Sequence, residues 1–395
     1  MMKICSYMKN IIASVIACLC ITAYSNAQTS VTRQYKEYGL YAGIEVGSKG
    51  VKLSVVELKK DPQKNANYVV LKDSSVNTDF ISFTPNSFQS TLAGLTGLYR
   101  LTLNDLKLEP SRVFTVISSG VKIQAEKNQK MSWVNNLIDS FRLNIHEPGR
   151  RVEVVDVLQE ARLSHLGIVP ESRRYNTFLI DIGSGNTKGG YFPNGNPRDF
   201  RLFQLTWGTK STANATEKRM EDDQTIENYN RQLYRVLAGS ANDEIIYAVN
   251  CSGAYNMSDN IAFSGGIAWS VATLISPELM ENPVIPVTFE EVQQFYDRLS
   301  ANYHSLTAAE ITRPITDPFI SRELIAKEVD RVNKVFDQRS MLAGTALLLK
   351  IMRQFEGIYE KKQFYLVKNG QVGWISAYVD QHTASADDQL KTVNH

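Results

Sequence analysis

Cysteine is almost missing from the body of this 395-residue chain. Of its four cysteines, Cys5, Cys18 and Cys20 fall in the first 20 residues, and only Cys251 lies beyond them. A body with one cysteine has no internal disulfide, so core packing must hold it, which a chain of this length can supply. Cys251 itself reads as a small buried hydrophobe. Histidine is scarce too: the five are scattered, and no Cys/His cluster has zinc spacing. An excess of either charge is absent. Lys and Arg number 43 against 41 Asp and Glu, a formal net charge of +2, so no electrostatic case exists for nucleic acid as the main partner. With 43% hydrophobic and 21% charged residues, a largely disordered or collagen-like chain is excluded.

What is there begins with an address. Residues 1–27 carry Lys3 and Lys9 and no acid, then an apolar run from Ile11 to Ala23, then Ser25-Asn26-Ala27 before Gln28. That order of charge, apolar core and small residues is a secretory signal peptide. The run falls short of the roughly 20 residues that span a bilayer, so no transmembrane span is expected in the mature chain. Cleavage after Ala27 leaves 41 residues of each sign and the single Cys251. Val15-Ile16-Ala17-Cys18 resembles a lipobox and offers lipid anchoring through Cys18 as a second outcome. Export to the periplasm or the medium is the expectation either way.

Beyond the leader, strands and helices alternate. Residues 40–58 read as strand, glycine turn, strand, with a third strand over 67–72. Leu92, Leu95 and Leu98 predict an amphipathic helix over 88–106. Short strands follow at 113–117 and 152–155, and a helix at 158–166. Pro170 and the polar 170–176 mark a crossing. The pattern then restarts: strand 177–182, a tight turn at Gly183-Ser184-Gly185-Asn186, and a return at 188–192. A loop with a helix start is expected at 211–230, strands at 245–249 and 261–263, and an apolar helix after Ser264-Gly265-Gly266. Residues 288–312 read as helical, 341–355 as a buried helix, and 364–379 as a hairpin turning at Asn369-Gly370. The expected organisation is a signal peptide (1–27), an N-terminal domain (38–169), a C-terminal domain (170–383) and a polar tail (384–395).

Each glycine turn is led by a carboxylate, Glu45 in the first and Asp181 in the second. Such a repeat points to two like domains facing a cleft. Glycine lets backbone N–H groups approach a ligand, and successive N–H groups form a nest for phosphate. A helix that starts with glycines is a further anion site. A carboxylate beside a nest repels phosphate unless a cation such as Mg²⁺ stands between them.

The residues that carry this pattern resemble the exopolyphosphatase/guanosine pentaphosphate phosphohydrolase (Ppx/GppA) family of the actin-like ATPase-domain superfamily, from about Tyr41 to Val379. The family's first phosphate loop, D-L-G-S-N-S, appears as Glu45-Val46-Gly47-Ser48-Lys49-Gly50. Its A-T-S-A-x-R segment appears as Ile117-Ser118-Ser119-Gly120-Val121-Lys122. Its E-E-A-R-L helix appears as Gln159-Glu160-Ala161-Arg162-Leu163, ending at Gly167. Its second loop, D-I-G-G-G-S-T-E, appears as Asp181-Ile182-Gly183-Ser184-Gly185-Asn186-Thr187-Lys188, and its late L-A-G helix as Leu342-Ala343-Gly344.

The resemblance implies an α/β protein with two actin-like (ribonuclease H-like) domains, each a mixed sheet with flanking helices. It implies Glu160 as the catalytic base that orients water, and phosphate binding by Gly47, Ser48, Lys49, Ser118, Lys122, Gly183, Ser184, Gly185 and Asn186. It implies Mg²⁺ held by Glu45 and Asp181, and polyphosphate or another phosphoanhydride as substrate, with a homodimer compatible. The chain departs from the pattern with Glu45 for Asp, Val157 for Gly, Gln159 for Glu, Lys122 for Arg, Ser184 for Gly and Asn186 for Ser. Lys49, Lys52 and Lys188 add positive charge beside the loops. Two classes of function lead: an exported phosphatase, or a catalytically impaired phosphate-ligand-binding or scaffold protein. A filament-forming actin-like protein is a third. In the first, Gly47 and Gly183 face one another across a cleft into which Glu160 projects.

Overall fold

The structure is a computed structural model that describes residues 39–58, 68–196, 198–254, 258–356, 361–368, 370, 373–379 and 381–382. The signal peptide, the lipobox at Cys18, Asn369 and the polar tail lie outside the described residues. Among the described residues, no helix is long and apolar enough to cross a membrane.

Apolar residues two apart build the first sheet. Ala42, Ile44 and Val46 of β1 (Gly39–Val46) and Val51, Leu53 and Val55 of β2 (Gly50–Leu58) are buried, the alternation of a pleated strand with one face on a core. β2 continues antiparallel to β3 (Tyr68–Asn77). Helix α1 (Pro85–Asn104) is started by a reciprocal cap between Thr84 and Ser87, and its leucine face covers the sheet. β4 (Val113–Ile117) then runs parallel to β1. After α2 (Ser119–Lys127) and α3 (Met131–Ile145), β5 (Glu153–Val154) joins β4, giving the order β3-β2-β1-β4-β5. Helix α4 (Val157–Ile168) follows, with Asp156 capping its first turn through the N–H of Gln159.

The second half repeats that plan. β6 (Thr177–Ile182), β7 (Thr187–Tyr191) and β8 (Arg201–Leu205) form an antiparallel meander, as β1 to β3 do. Helices α5 (Thr209–Glu217), α6 (Ile226–Ala238) and α7 (Asn242–Cys251) lead to β9 (Asn260–Ser264), which is parallel to β6 as β4 is to β1. Then come α8 (Gly266–Ile275), β10 (Val284–Val287), α9 (Phe289–Ala301), a five-residue helix at Ala308–Thr312, α10 (Arg322–Val335), α11 (Gln338–Glu356) and β11 (Gln363–Val367). The helical stretch read over 288–312 is thus broken after Ala301. The second sheet has the order β10-β11-β9-β6-β7-β8. Each sheet has its own buried cluster, the larger one built on Phe178, Ile180, Phe263 and the inner face of α11. The architecture is α/β with two mixed sheets and flanking helices. A last helix, α12 at 373–379, packs on the first sheet: Trp374, Ile375 and Tyr378 are buried with Val116, Val155 and Leu163.

Several local expectations change. Residues 245–249 form helix, not strand: Ile245 and Val249 are buried while Tyr247 is exposed. That is an i, i+4 pattern that a five-residue apolar run cannot distinguish from a buried strand. The 364–379 hairpin does not form, because β11 finds its partners in β9 and β10 and the chain then turns helical. In the 211–230 segment the loop (218–225) and the helix start at Ile226 are present, but residues 211–217 belong to α5. Cys251 is exposed at the end of α7 instead of buried. Strands β8 and β10 and helices α2, α3 and α10 complete stretches the sequence reading left unassigned.

Candidate functional site

The two glycine turns are built alike. In the β1–β2 turn the Gly47 N–H donates to the Gly50 carbonyl at 2.9 Å; in the β6–β7 turn the Gly183 N–H donates to the Asn186 carbonyl at 3.0 Å. Helix α5 braces the second turn, since the N–H groups of Thr209 and Lys210 donate to the carbonyls of Gly183 and Ser184, each at 2.9 Å. The tips meet. A Cβ on Gly185 would lie 2.5 Å from Ser48 Oγ and 3.2 Å from the Gly120 carbonyl; one on Gly120 would lie 2.8 Å from Asn186 Oδ1. Three segments approach closely here, and a side chain at 120 or 185 would push Asn186 or Ser48 aside. Gln124 of α2 fixes the arrangement by donating to the Gly185 carbonyl at 2.9 Å.

Four charged side chains converge beneath these tips. Glu45 ends β1, Glu160 stands in the first turn of α4, and Asp181 and Lys188 face each other in register across β6 and β7. All are buried: Glu160 is 1% exposed and Lys188 4%. The Lys188 ammonium lies 2.9 Å from Glu160 Oε1 and 2.8 Å from Asp181 Oδ2. The other Glu160 oxygen accepts the Ser119 N–H at 2.7 Å, and the other Asp181 oxygen accepts the Ser264 hydroxyl at 3.2 Å. Burial alone would drive the Lys188 proton off, but the two carboxylates outweigh it and hold the ammonium above its ordinary pKa. Glu45 accepts the Trp374 indole N–H at 3.2 Å. Burial raises its pKa, and the Glu160 charge adds to that, while Lys52, Lys188 and Trp374 oppose it.

One cleft is lined by Glu45, Gly47, Ser48, Lys49, Ser118, Glu160, Asp181 and Gly183 to Asn186. The structure thus brings together every residue singled out from the sequence except Lys122, which is half-buried on α2 and does not line the cleft. Lys49 reaches across it: its ammonium contacts the Val335 carbonyl and lies 4.7 Å from the centre of the Phe336 ring. Burial lowers its pKa. The sequence reading missed Trp269, Arg331 and Trp374, which also line the cleft. It also missed that Lys188 bridges two acids. One signal was present: in each hairpin a lysine stands seven residues after the acid, and Glu45 faces Lys52 as Asp181 faces Lys188.

The third glycine segment completes the cleft. Gly265 holds φ +93°, and a Cβ there would lie 2.8 Å from Asp181 Oδ1, so glycine is needed for both its conformation and the approach of the acid. It opens α8, whose N-terminus points its partial positive charge toward the cleft. For a metal the donor set is poor. Among the described residues no group of three or more His, Cys, Asp or Glu side chains is arranged to hold an ion. Of the two expected ligands, Asp181 has both oxygens engaged, by Lys188 and by Ser264, and Glu45 accepts from Trp374. A Mg²⁺ ion at this pair would have to displace a cation already in place, and the residues as arranged do not fit it.

No protein-family model matches the sequence, and no curated protein matches it. Solved structures do. The Ppx/GppA family member of Aquifex aeolicus aligns over 87% of this chain and 99% of its own at 17% identity, with a TM-score of 0.57. An exopolyphosphatase-like protein aligns over 88% of this chain and 100% of its own at 14% identity and a TM-score of 0.58. An exopolyphosphatase from Cytophaga hutchinsonii covers 87% of this chain and 98% of its own at 14% identity, with a TM-score of 0.52. With two mixed sheets facing one cleft over nearly its whole described length, the chain has the fold of the Ppx/GppA exopolyphosphatases.

Proposed function

We propose that the protein is an exported phosphatase that hydrolyses terminal phosphoanhydride bonds, with inorganic polyphosphate as the first substrate. The observation that carries this reading is the contact of two glycine hairpins directly over Glu160. Export, argued from the leader, disfavours guanosine pentaphosphate, a cytosolic signal. Phosphoryl transfer asks for positioning and charge neutralisation more than for covalent chemistry. With the Gly47 and Gly183 N–H groups used inside the turns, the donors for phosphate oxygens come from Ser48, from Ser184 to Asn186, from Ser118 and from the start of α8. Glu160 orients the attacking water and takes its proton. Its rotamer is set by the Ser119 N–H on one oxygen and the Lys188 ammonium on the other. Mg²⁺ commonly supplies charge neutralisation in such chemistry, but Glu45 and Asp181 do not offer it a site here. Lys188 and Lys52 carry that charge instead.

The test is phosphate release from polyphosphate by the purified protein. Glu160→Gln should lower the rate by about 10²- to 10⁴-fold, the usual contribution of a general base, while leaving the chain folded and able to bind the polyanion. If folded protein releases no phosphate at any chain length, hydrolysis is wrong. Binding without turnover would then mark a phosphate-ligand-binding or scaffold protein.

A further inference from the structure

We propose that Lys188 is the resident cation of the cleft and that phosphate binds there without a divalent metal. This rests on the phosphate-binding reading above and deepens it. Two carboxylates under an anion nest would repel the ligand. Here a buried ammonium, 2.8 and 2.9 Å from them, offsets one of those two charges, and Lys49 and Lys52, which line the same cleft, offset the other together with that of Glu45. It lies under the second loop, 3.6 Å from where a Cβ on Gly183 would be. Both carboxylates have their remaining oxygen engaged, by Ser119 and by Ser264.

A Mg²⁺ ion needs near-octahedral oxygen ligands at about 2.1 Å. Reaching Asp181 and Glu160 together, it would have to displace Lys188 or stand against it. Displacing a buried lysine strands a charge away from its partners. The seven-residue spacing places Lys52 opposite Glu45 in the same way, so each hairpin carries its own acid–lysine pair and the lysine is part of the duplicated plan.

Calorimetric titration with tripolyphosphate in metal-free buffer tests this, beside a Mn²⁺ titration of the protein alone. The native chain should bind tripolyphosphate without metal and bind no Mn²⁺ in the cleft. Lys188→Met should weaken metal-free binding about tenfold or more, equivalent to about 1.4 kcal/mol, whereas Lys188→Arg keeps the charge and should stay within about threefold. Lys188→Glu should acquire Mn²⁺ binding, and lose it again when combined with Asp181→Asn. Should Lys188→Met fail to fold, the native chain and Lys188→Arg still decide. Native binding that needs Mg²⁺, or Mn²⁺ uptake by the native chain that Asp181→Asn abolishes, overturns the proposal while leaving the phosphatase reading standing. No binding of tripolyphosphate under either condition overturns both.

Discussion

Glu45 is the least comfortable residue of the site. It is buried beside Glu160, and its own opposite charges are Lys52 across the hairpin and Lys188 beneath the second one. Trp374 donates to it at 3.2 Å from a helix that follows β1 by more than three hundred residues. The indole therefore satisfies an acid while its ring fills the cluster of Val116, Val155 and Leu163. Trp374→Phe keeps most of the packing and removes the donor. Leaving one buried acceptor unpaired costs about 1–3 kcal/mol, so the urea midpoint should fall accordingly. Glu45→Gln should recover part of that loss in the Trp374→Phe background, because the buried charge goes with it. Additive single effects would show that Trp374 acts by packing alone. Such pairs mark the limit of sequence reading at this scale. Glu45, Asp181 and Glu160 were legible because each sits in a contiguous motif. The bridge from Lys188 to Glu160 and the bond from Trp374 were not, since their partners are brought together only by the closed fold.

Helix α4 ties the site to the core of the second sheet. It carries Glu160 in its first turn and His165 five residues on. His165 is fully buried between Phe192 and Phe200, at ring distances of 5.0 and 6.0 Å. Its Nε2–H donates to the Thr177 carbonyl at 3.0 Å, which only a protonated Nε2 can do, and Nδ1 is buried without a partner among the described residues. A second proton would have nowhere to go. Burial accordingly pushes the pKa down from 6.5 to about 4, against the Thr177 hydrogen bond and with help from the Arg174 charge. The unfolded chain takes up this proton at a higher pH than the folded one. Stability is therefore complete above about pH 6.5 and is lost as pH falls toward 4, by about 3 kcal/mol from this group. Denaturation of the native chain and of His165→Gln, whose amide keeps a donor for Thr177, should differ in slope between pH 6.5 and 5. Parallel curves would remove His165 from the account. Elements of this kind were legible wherever the apolar period was long: β1, β2, β6, α1 and α11 follow from their patterns. The failure at 245–249 came from a short run with no period, and the hairpin at 364–379 failed because the partners of β11 lie on β9 and β10.

Across the whole molecule, polar contacts hold the two halves together at the cleft. Arg331 of α10 pairs with Asp73 of β3 at 2.7 Å while its guanidinium lies 5.1 Å from the centre of the Trp269 ring. Lys210 pairs with Asp79, and Lys49 reaches Val335 and Phe336. The apolar join is elsewhere, where α12 returns to the first sheet. This division has a mechanical consequence. An apolar seam holds the halves in register, whereas ion pairs at the rim, worth about 0–1 kcal/mol when partly exposed, can break and re-form at little cost, which on the phosphatase reading proposed above would let a polyanion enter and product leave. Arg331 is 45% and Asp73 21% exposed, so screening by solvent keeps the pair at the weak end of that range. Arg331→Ala should therefore shift the melting temperature little while raising KM for polyphosphate several-fold and leaving kcat nearly unchanged. Because Arg331 also faces the cleft, the single variant alone would not separate a clamp from a ligand contact. A cycle with Asp73→Ala does. If the pair is a clamp, the double variant should raise KM no further than Arg331→Ala does. If Arg331 instead holds phosphate directly, Asp73→Ala should lower KM by freeing it, and the two effects should oppose one another.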